Sequence, residues 1–215
     1  MQFETTAPGV VTLFSADLPR IDCLMSPLEP LCYDALCDLL PDGARAAEVG
    51  SFKGGSAVIL SAGMRRRGKE LVLACHDLFT PFEAAGQVHD IETCFDAHTA
   101  AWGARPVKVK GDSKATHRIH QDGSLDYVFI DGDHSYEGAL ADIVNFAPKL
   151  RAGGFLAVQD SIGEVKRAVE EAMADLPRLE IRPPIGHYIT VACSDRERLD
   201  AYRDALRARI PGASR

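Results

Sequence analysis

The chain has 215 residues, 46% hydrophobic and 26% charged, with a formal net charge of −7. That length buries a full core without disulfides or structural metal, so one domain over 1–215 is expected. The acidic balance argues against a nucleic-acid partner, and no apolar run reaches the roughly 18 residues of a membrane span.

In chain order, residues 1–40 precede the first strand-like run and form an N-terminal cap, with a helix predicted over 27–40 at the open end of a sheet. Strands are predicted at 44–49, 71–75, 106–109, 125–130 and 155–158. Helices are predicted between them at 57–67, 91–101, 113–120 and 136–150. Alternation of this kind gives βαβ units and a parallel sheet. Residues 128–130 and 155–158 are apolar without a break, as in strands covered by helices on both faces. A helix at 164–174 follows. Strands at 179–182 and 187–193, joined through Pro183-Pro184-Ile185-Gly186, then close the sheet as a hairpin. A helix at 196–208, within a C-terminal helix and tail of 195–215, ends the chain.

The six cysteines show no C-x-x-C spacing, so no zinc site is read from them. Cys75 and Cys193 lie in apolar strand runs and read as small core residues. Arg65-Arg66-Arg67 with Lys69 is the one dense basic cluster and reads as a solvated helix end, where cations suit the helix dipole. With no basic-then-apolar leader, a cytoplasmic, reduced protein is expected.

The run Glu48-Val49-Gly50-Ser51-Phe52-Lys53-Gly54-Gly55-Ser56 follows a strand and opens a helix. Ligands of open α/β sheets bind at such a place, and glycines let the backbone approach them. A dinucleotide fingerprint requires Gly-x-Gly-x-x-Gly. Here Phe52 replaces the middle glycine and would crowd a pyrophosphate, which Glu48 would also repel. The turn therefore favours a ligand bearing an ammonium group.

Glu-x-Gly-x-x-x-Gly after the first core strand resembles the cofactor signature of class I S-adenosylmethionine-dependent methyltransferases. The whole run from Glu48 to Ser56 is similar to that of the cation-dependent small-molecule O-methyltransferases, catechol-type and macrolide-sugar-type. The resemblance spans about 44–193. It implies a Rossmann-like, doubly wound, mostly parallel seven-stranded sheet with an antiparallel last strand, and S-adenosylmethionine as cofactor. It implies cofactor contacts from Glu48, Gly50, Ser51, Phe52, Gly54 and Ser56, with Glu48 serving the amino-acid end through neighbouring backbone and waters. Asp77, ending the second strand, would hold the ribose; its alternative is a loop or cap carboxylate. Asp112 or Ser113 would contact the adenine amino group; both are also ordinary N-caps. Asp131 closes this set.

The segment Tyr127–Glu137, with Asp131, Asp133 and His134 just past a buried strand, is the most informative. Adjacent strands lie about 4.8 Å apart, so Asp131 and Asp160 at neighbouring tips can share one ion. Hard oxygen ligands suit Mg²⁺, which would hold the acceptor hydroxyl and lower its pKa. In the resembling enzymes a third ligand flanks the second carboxylate; here Gln159 and Ser161 stand there, both uncharged. Asp131-x-x-His134 is similar to an arrangement in macrolide-sugar enzymes that makes His134 the general base, a role suited to imidazole. The alternative for His134 is to cap or pack the next helix. His117 and His120 share a helix face without a third ligand, His89 and His98 read as solvent-facing, and His187 starts a late strand. Phe79, Phe82, Trp102 and Tyr188 read as core before pocket. Residues 1–40, 79–93 and 183–188 would shape the acceptor site.

The expected activity is methyl transfer from S-adenosylmethionine to a hydroxyl of a small molecule (sugar, polyketide or phenol), with Mg²⁺ assisting. Oligomeric state is not legible in the sequence; the resemblance admits a homodimer, since similar enzymes often pair. Two alternatives stay open: another Rossmann-type enzyme using NAD(P), and a non-catalytic S-adenosylmethionine-binding protein.

Overall fold

Residues 2–24 carry β-branched and aromatic side chains, and in the computed structural model they build strands ahead of the expected sheet. The structure describes residues 2–7, 10–16, 18–84, 87–182 and 188–210. β1 (Gln2–Ala7), β2 (Val10–Ser15) and β3 (Leu18–Leu24) form an antiparallel sheet in the order β1-β2-β3. In β3 Ile21 and Cys23 are buried while Asp22 and Leu24 face out, the period-2 signature of a half-covered sheet, whereas β2 buries Val11, Thr12 and Leu13 in a row. These three strands lie within the 1–40 segment, where a cap with one helix, shaping the acceptor site, is expected and no strand is. The helix expected there forms as α1 (Glu29–Leu39) and starts with Pro30 in its first turn, where the missing N–H costs nothing.

The remaining elements alternate as anticipated. They are β4 (Ala44–Val49), α2 (Gly55–Arg66), β5 (Leu71–Asp77), the short hairpin β6 (Phe82–Ala84) and β7 (Gln87–His89), α3 (Ile91–Ala101), β8 (Val107–Lys110), α4 (Ser113–Thr116), β9 (Leu125–Ile130), α5 (Tyr136–Phe146), β10 (Leu150–Gln159), α6 (Gly163–Ala172), β11 (Arg178–Ile181), β12 (Ile189–Cys193) and α7 (Arg196–Arg207). Two predicted helices finish in 3-10 turns. Residues His117–Ile119 follow α4, and Ala147–Lys149 follow α5 at Pro148, which cannot donate to a helix. The turn expected at 183–186, and His187, lie outside the described residues.

The main sheet has seven strands in the order β11-β12-β10-β9-β4-β5-β8. The inner pairs are parallel, and β12 runs antiparallel to both β10 and β11. It is a Rossmann-like sheet with a reversed strand near one end. Alternate residues feed two cores. Tyr127, Phe129, Phe155 and Ala157 join the cluster under α1, α2 and α7, while Val128, Ile130, Leu156 and Val158 join the one under α5 and α6. Both faces are covered, which explains the unbroken apolar runs.

The basic cluster at the end of α2 is an ion-pair network. Arg66 and Arg67 of α2 and Arg209 beyond α7 converge on Asp34 of α1, and Arg67 and Arg209 also reach Asp38. Against the desolvation that burial imposes, these guanidiniums hold the Asp34 carboxyl well below its ordinary range. Lys69 donates to the Cys37, Asp38 and Leu40 carbonyls and caps α1. All six cysteines are free, and Cys75 and Cys193 are buried as expected.

Candidate functional site

Crossing over from β4 to β5 on one side and to β9 on the other leaves a crevice at the carboxyl ends of the strands, the topological switch point. A cavity of about 590 Å³ occupies it. The strand order lays out its wall: Asp160 past β10, Asp131 past β9, the glycine turn past β4, Asp77 ending β5, and Asp112-Ser113 past β8. β3 and α1 close one side with Cys23, Met25 and Tyr33.

The glycine turn is tight for a stated reason. Gly50 has φ +83°, and a Cβ there would stand 1.9 Å from the Asp131 carbonyl oxygen. Gly50 N–H donates to His76 O, and Asp131 N–H donates to Val49 O, each at 2.8 Å, so three strand tips are stitched together. Gly54 is the left-handed N-cap of α2. A Cβ on Gly55 would fall 2.1 Å from Cys23 Sγ, so the N-terminal sheet rests directly on the start of α2. Among the described residues, three non-glycine ones take positive φ: Phe52, Phe79 and Asp160, at 44°, 50° and 51°. All three belong to the loops around the cavity, where backbone strain tends to collect.

Of the residues expected to meet the cofactor, Gly50, Ser51, Phe52, Ser56, Asp77, Asp112, Ser113 and Asp131 line the cavity; Glu48 and Gly54 lie behind it. Glu48 is 3% exposed. It accepts hydrogen bonds from Ser56 Oγ and, at 3.3 Å, from Cys75 Sγ. Burial pushes its carboxyl up to about 7, with those two bonds pulling the other way. Asp77 Oδ2 accepts from the backbone N–H groups of Ser51 and Phe52 at 2.8 and 2.9 Å, and Oδ1 from Phe79 N–H at 2.7 Å. The carboxylate thus ties the glycine turn to the tip of β5 and still faces the cavity. Asp112 caps α4 by accepting from Lys114 N–H, whereas Ser113 Oγ donates to Asp142 at 2.5 Å.

On the other side, His134 stands between two carboxylates. Its Nε2 lies 3.2 Å from Asp131 Oδ1 and its Nδ1 lies 3.4 Å from Asp160 Oδ2. One donor atom from each of the three falls within 4.8 Å of the others, a spacing that one metal ion can bridge. The helix cap weighed as the alternative for His134 falls to Ser135, whose Oγ accepts from Gly138 N–H at 3.0 Å. Gln159 and Ser161, the other expected metal neighbours, are turned elsewhere. Gln159 Nε2 donates to Glu29 Oε2 at 2.8 Å, and Ser161 Oγ donates to Val158 O at 2.9 Å.

Several site residues were not anticipated. Asp142 is a 2% exposed carboxylate on the buried stripe of α5 with Ala139, Ile143 and Phe146. A carboxylate at helical spacing among core residues was the signal available for it. Glu29 and Tyr33 line the cavity from α1, inside the 1–40 segment expected to shape the acceptor site, although neither residue stands out in the sequence. His76 and His120, 44 residues apart in sequence, face each other Nε2 to Nε2 at 2.8 Å, and His76 Nδ1 meets Thr116 Oγ1. Burial, then the neighbouring His120, pushes His76 down to about 3, so the pair is neutral.

The methyltransferase-domain family matches residues 47–161, more than half of the chain and the whole run from the glycine turn to Ser161. No curated protein matches the sequence significantly. Solved structures are similar in fold. An S-adenosylhomocysteine-bound methyltransferase of Podospora anserina, PaMTH1, is 15% identical with a TM-score of 0.58, covering 78% of each chain. The O-methyltransferase NovP is 20% identical with a TM-score of 0.54, covering 79% of each chain. An rRNA methylase of Streptococcus thermophilus is 12% identical with a TM-score of 0.59, covering 79% of this chain and 98% of its own.

Proposed function

The chain belongs to the methyltransferase-domain family, with the sheet of the class I S-adenosylmethionine-dependent enzymes, and on that premise we propose that it methylates a hydroxyl of a small molecule with help from Mg²⁺. Membership of the family sets aside the dinucleotide-dependent alternative. The observation that carries the hydroxyl-plus-metal reading is the cluster of Asp131, His134 and Asp160 on the cavity wall next to the glycine turn.

The cofactor would lie along the strand tips with its amino-acid end at the glycine turn and its ribose at Asp77. The acceptor hydroxyl would enter from the side of Tyr33 and Glu29. The acceptor oxygen attacks the methyl carbon in line, the sulfur–methyl bond breaks, S-adenosylhomocysteine leaves, and the hydroxyl proton passes to His134. Alignment of donor and acceptor supplies much of the rate.

The donor set fits a divalent cation. Two carboxylates with room for water suit Mg²⁺, and an imidazole in reach also admits Mn²⁺. Asp131 and Asp160 would hold the ion, which when bound lowers the pKa of the acceptor hydroxyl. Gln159 and Ser161 would reach it only after giving up their present partners. Carboxylates at Asp22, Asp112 and Asp133 line the same cavity, against Lys114 as the one lysine among its described residues. Such a wall repels a phosphate backbone, which supports a small-molecule acceptor.

The test is a methyl-transfer screen of hydroxylated sugars, polyketides and phenols, read by mass spectrometry. Activity is expected to fall on chelation, to return with Mg²⁺ or Mn²⁺, and to fall at least about 100-fold in Asp160→Ala. Transfer that ignores both chelator and substitution would contradict the metal site. Cofactor binding without transfer to any acceptor would favour a non-catalytic S-adenosylmethionine-binding protein.

A further inference from the structure

Asp142 is a buried carboxylate that the proposed chemistry leaves without a task. It projects from α5 into the crevice, 2% exposed, and lines the cavity. One oxygen, Oδ1, accepts from Ser113 Oγ at 2.5 Å. The other, Oδ2, lies 2.9 Å from where a Cβ on Gly132 would stand. The side chain therefore bridges the loops after β8 and β9, on either side of β4 and β5, and leaves position 132 no room for a side chain. Burying a carboxylate is costly, and burial raises its pKa here. Such a cost is met where the group makes an interaction that an apolar residue cannot replace.

Hydrogen-bond polarity identifies that interaction. A hydroxyl has one proton and two lone pairs. Because Ser113 gives its proton to Asp142, what it turns toward the cavity is a lone pair. The neighbouring Asp112 carboxylate also offers only lone pairs there, apart from the one bonded to Lys114 N–H. Beside the Lys114 ammonium, the side chains of Asp112 and Ser113 present acceptors at this end of the cavity, complementary to a group carrying N–H donors.

Its place on the sheet says which part of a ligand arrives. The methyl must face Asp131, His134 and Asp160 at the tips of β9 and β10, and the ribose would sit at Asp77 on β5. The base then extends to the far side, at β8. We propose that Asp142 is a specificity-determining positioning residue: it locks Ser113 as a hydrogen-bond acceptor, so that the site takes a 6-aminopurine and rejects a 6-oxopurine. The proposal rests on the S-adenosylmethionine reading above.

The experiment compares binding of S-adenosylhomocysteine with that of its deaminated analogue, S-inosylhomocysteine, by calorimetry. The unsubstituted protein is expected to favour the amino form at least about tenfold, the scale of leaving an acceptor facing an acceptor. Asp142→Leu keeps a branched side chain of similar shape but removes every acceptor, so the Ser113 hydroxyl is released to donate into the cavity. The preference is expected to shrink to about twofold or less, chiefly because the deaminated analogue gains. Ser113→Ala, away from the core, is expected to lose the preference as well and carries the test if Asp142→Leu fails to fold. A merely structural role for Asp142 would weaken both ligands alike; an unchanged ratio in both variants overturns the proposal. An unsubstituted protein that binds both ligands equally overturns it too. A protein that binds neither ligand contradicts the cofactor reading itself, a distinct failure.

Discussion

Glu48 shows how one residue joins the two roles of the glycine turn. It is the acid of the motif, yet it lies behind the cavity wall and accepts from Ser56 and Cys75. Its folded-state pKa, about 7, lies above the ordinary 4.5. The neutral acid therefore favours folding most fully below about 4.5, and that contribution is lost as pH rises through about 7. Glu48→Gln removes the titration while keeping an acceptor for Ser56 and Cys75. Relative to the unsubstituted protein, the variant is expected to gain on the order of 2 kcal/mol between pH 5 and pH 8, read from urea unfolding at each pH. A difference that stays constant across that range would mean that Glu48 titrates as an ordinary carboxyl. Only the difference between the two proteins is informative, because the buried His76–His120 pair changes stability in the opposite direction as pH rises from about 3 to 6.5.

At the scale of elements, the glycine turn depends on contact more than on flexibility. Gly50→Ala would drive a methyl group into the Asp131 carbonyl. It is expected to cost at least about 2 kcal/mol and to abolish cofactor binding. Gly43 also has positive φ, +71°, but nothing stands within 4 Å of its Cβ position. Gly43→Ala should cost only about 1 kcal/mol and leave binding intact. Equal losses in thermal unfolding and in S-adenosylhomocysteine affinity for the two variants would contradict the close approach of β4 to β9.

Elements with strong periodicity were legible. The strands at 44–49 and 125–130 and the helix at 91–101 match residue for residue, because each is bounded by a turn or cap residue and has a clear burial pattern. The strands at 2–24 stand where the sequence suggests only a cap with one helix. β1 is exposed along its whole length, so it has no buried face to mark it, and β2 buries three consecutive residues, so only β3 carries a clean alternation. In the site, neighbours along the chain were legible: Asp131 and His134, three residues apart, do meet. Partners set by tertiary packing were not. Gln159 was matched to Asp160 by adjacency, but Glu29 from α1 takes its amide. Asp142 stood inside a predicted helix, and only the crossover between β8 and β9 brings it to Ser113.

Taken whole, the molecule is a class I sheet with an added wall. The conserved geometry of such a sheet puts a crevice over β4, β5 and β9, and the N-terminal strands with α1 narrow it from one side, Cys23 resting on Gly55 and Tyr33 on Phe129. The ion pairs of Asp34 and Asp38 anchor α1 to α2 and to the chain end beyond α7, so the wall is fixed to the core through charge as well as packing. Among the described residues no helix is long and apolar enough to cross a membrane. The acidic crevice under the N-terminal wall is where the proposed small acceptor would be held beside the cofactor.

The most direct measurement is a calorimetric titration of the folded, ligand-free protein with S-adenosylhomocysteine, beside Asp77→Asn. Asp77 holds the glycine turn through backbone N–H groups and faces the cavity where the ribose would lie. One site of low-micromolar affinity, weakened at least about tenfold in Asp77→Asn, is predicted. Absence of binding to the unsubstituted protein at millimolar ligand would contradict the account.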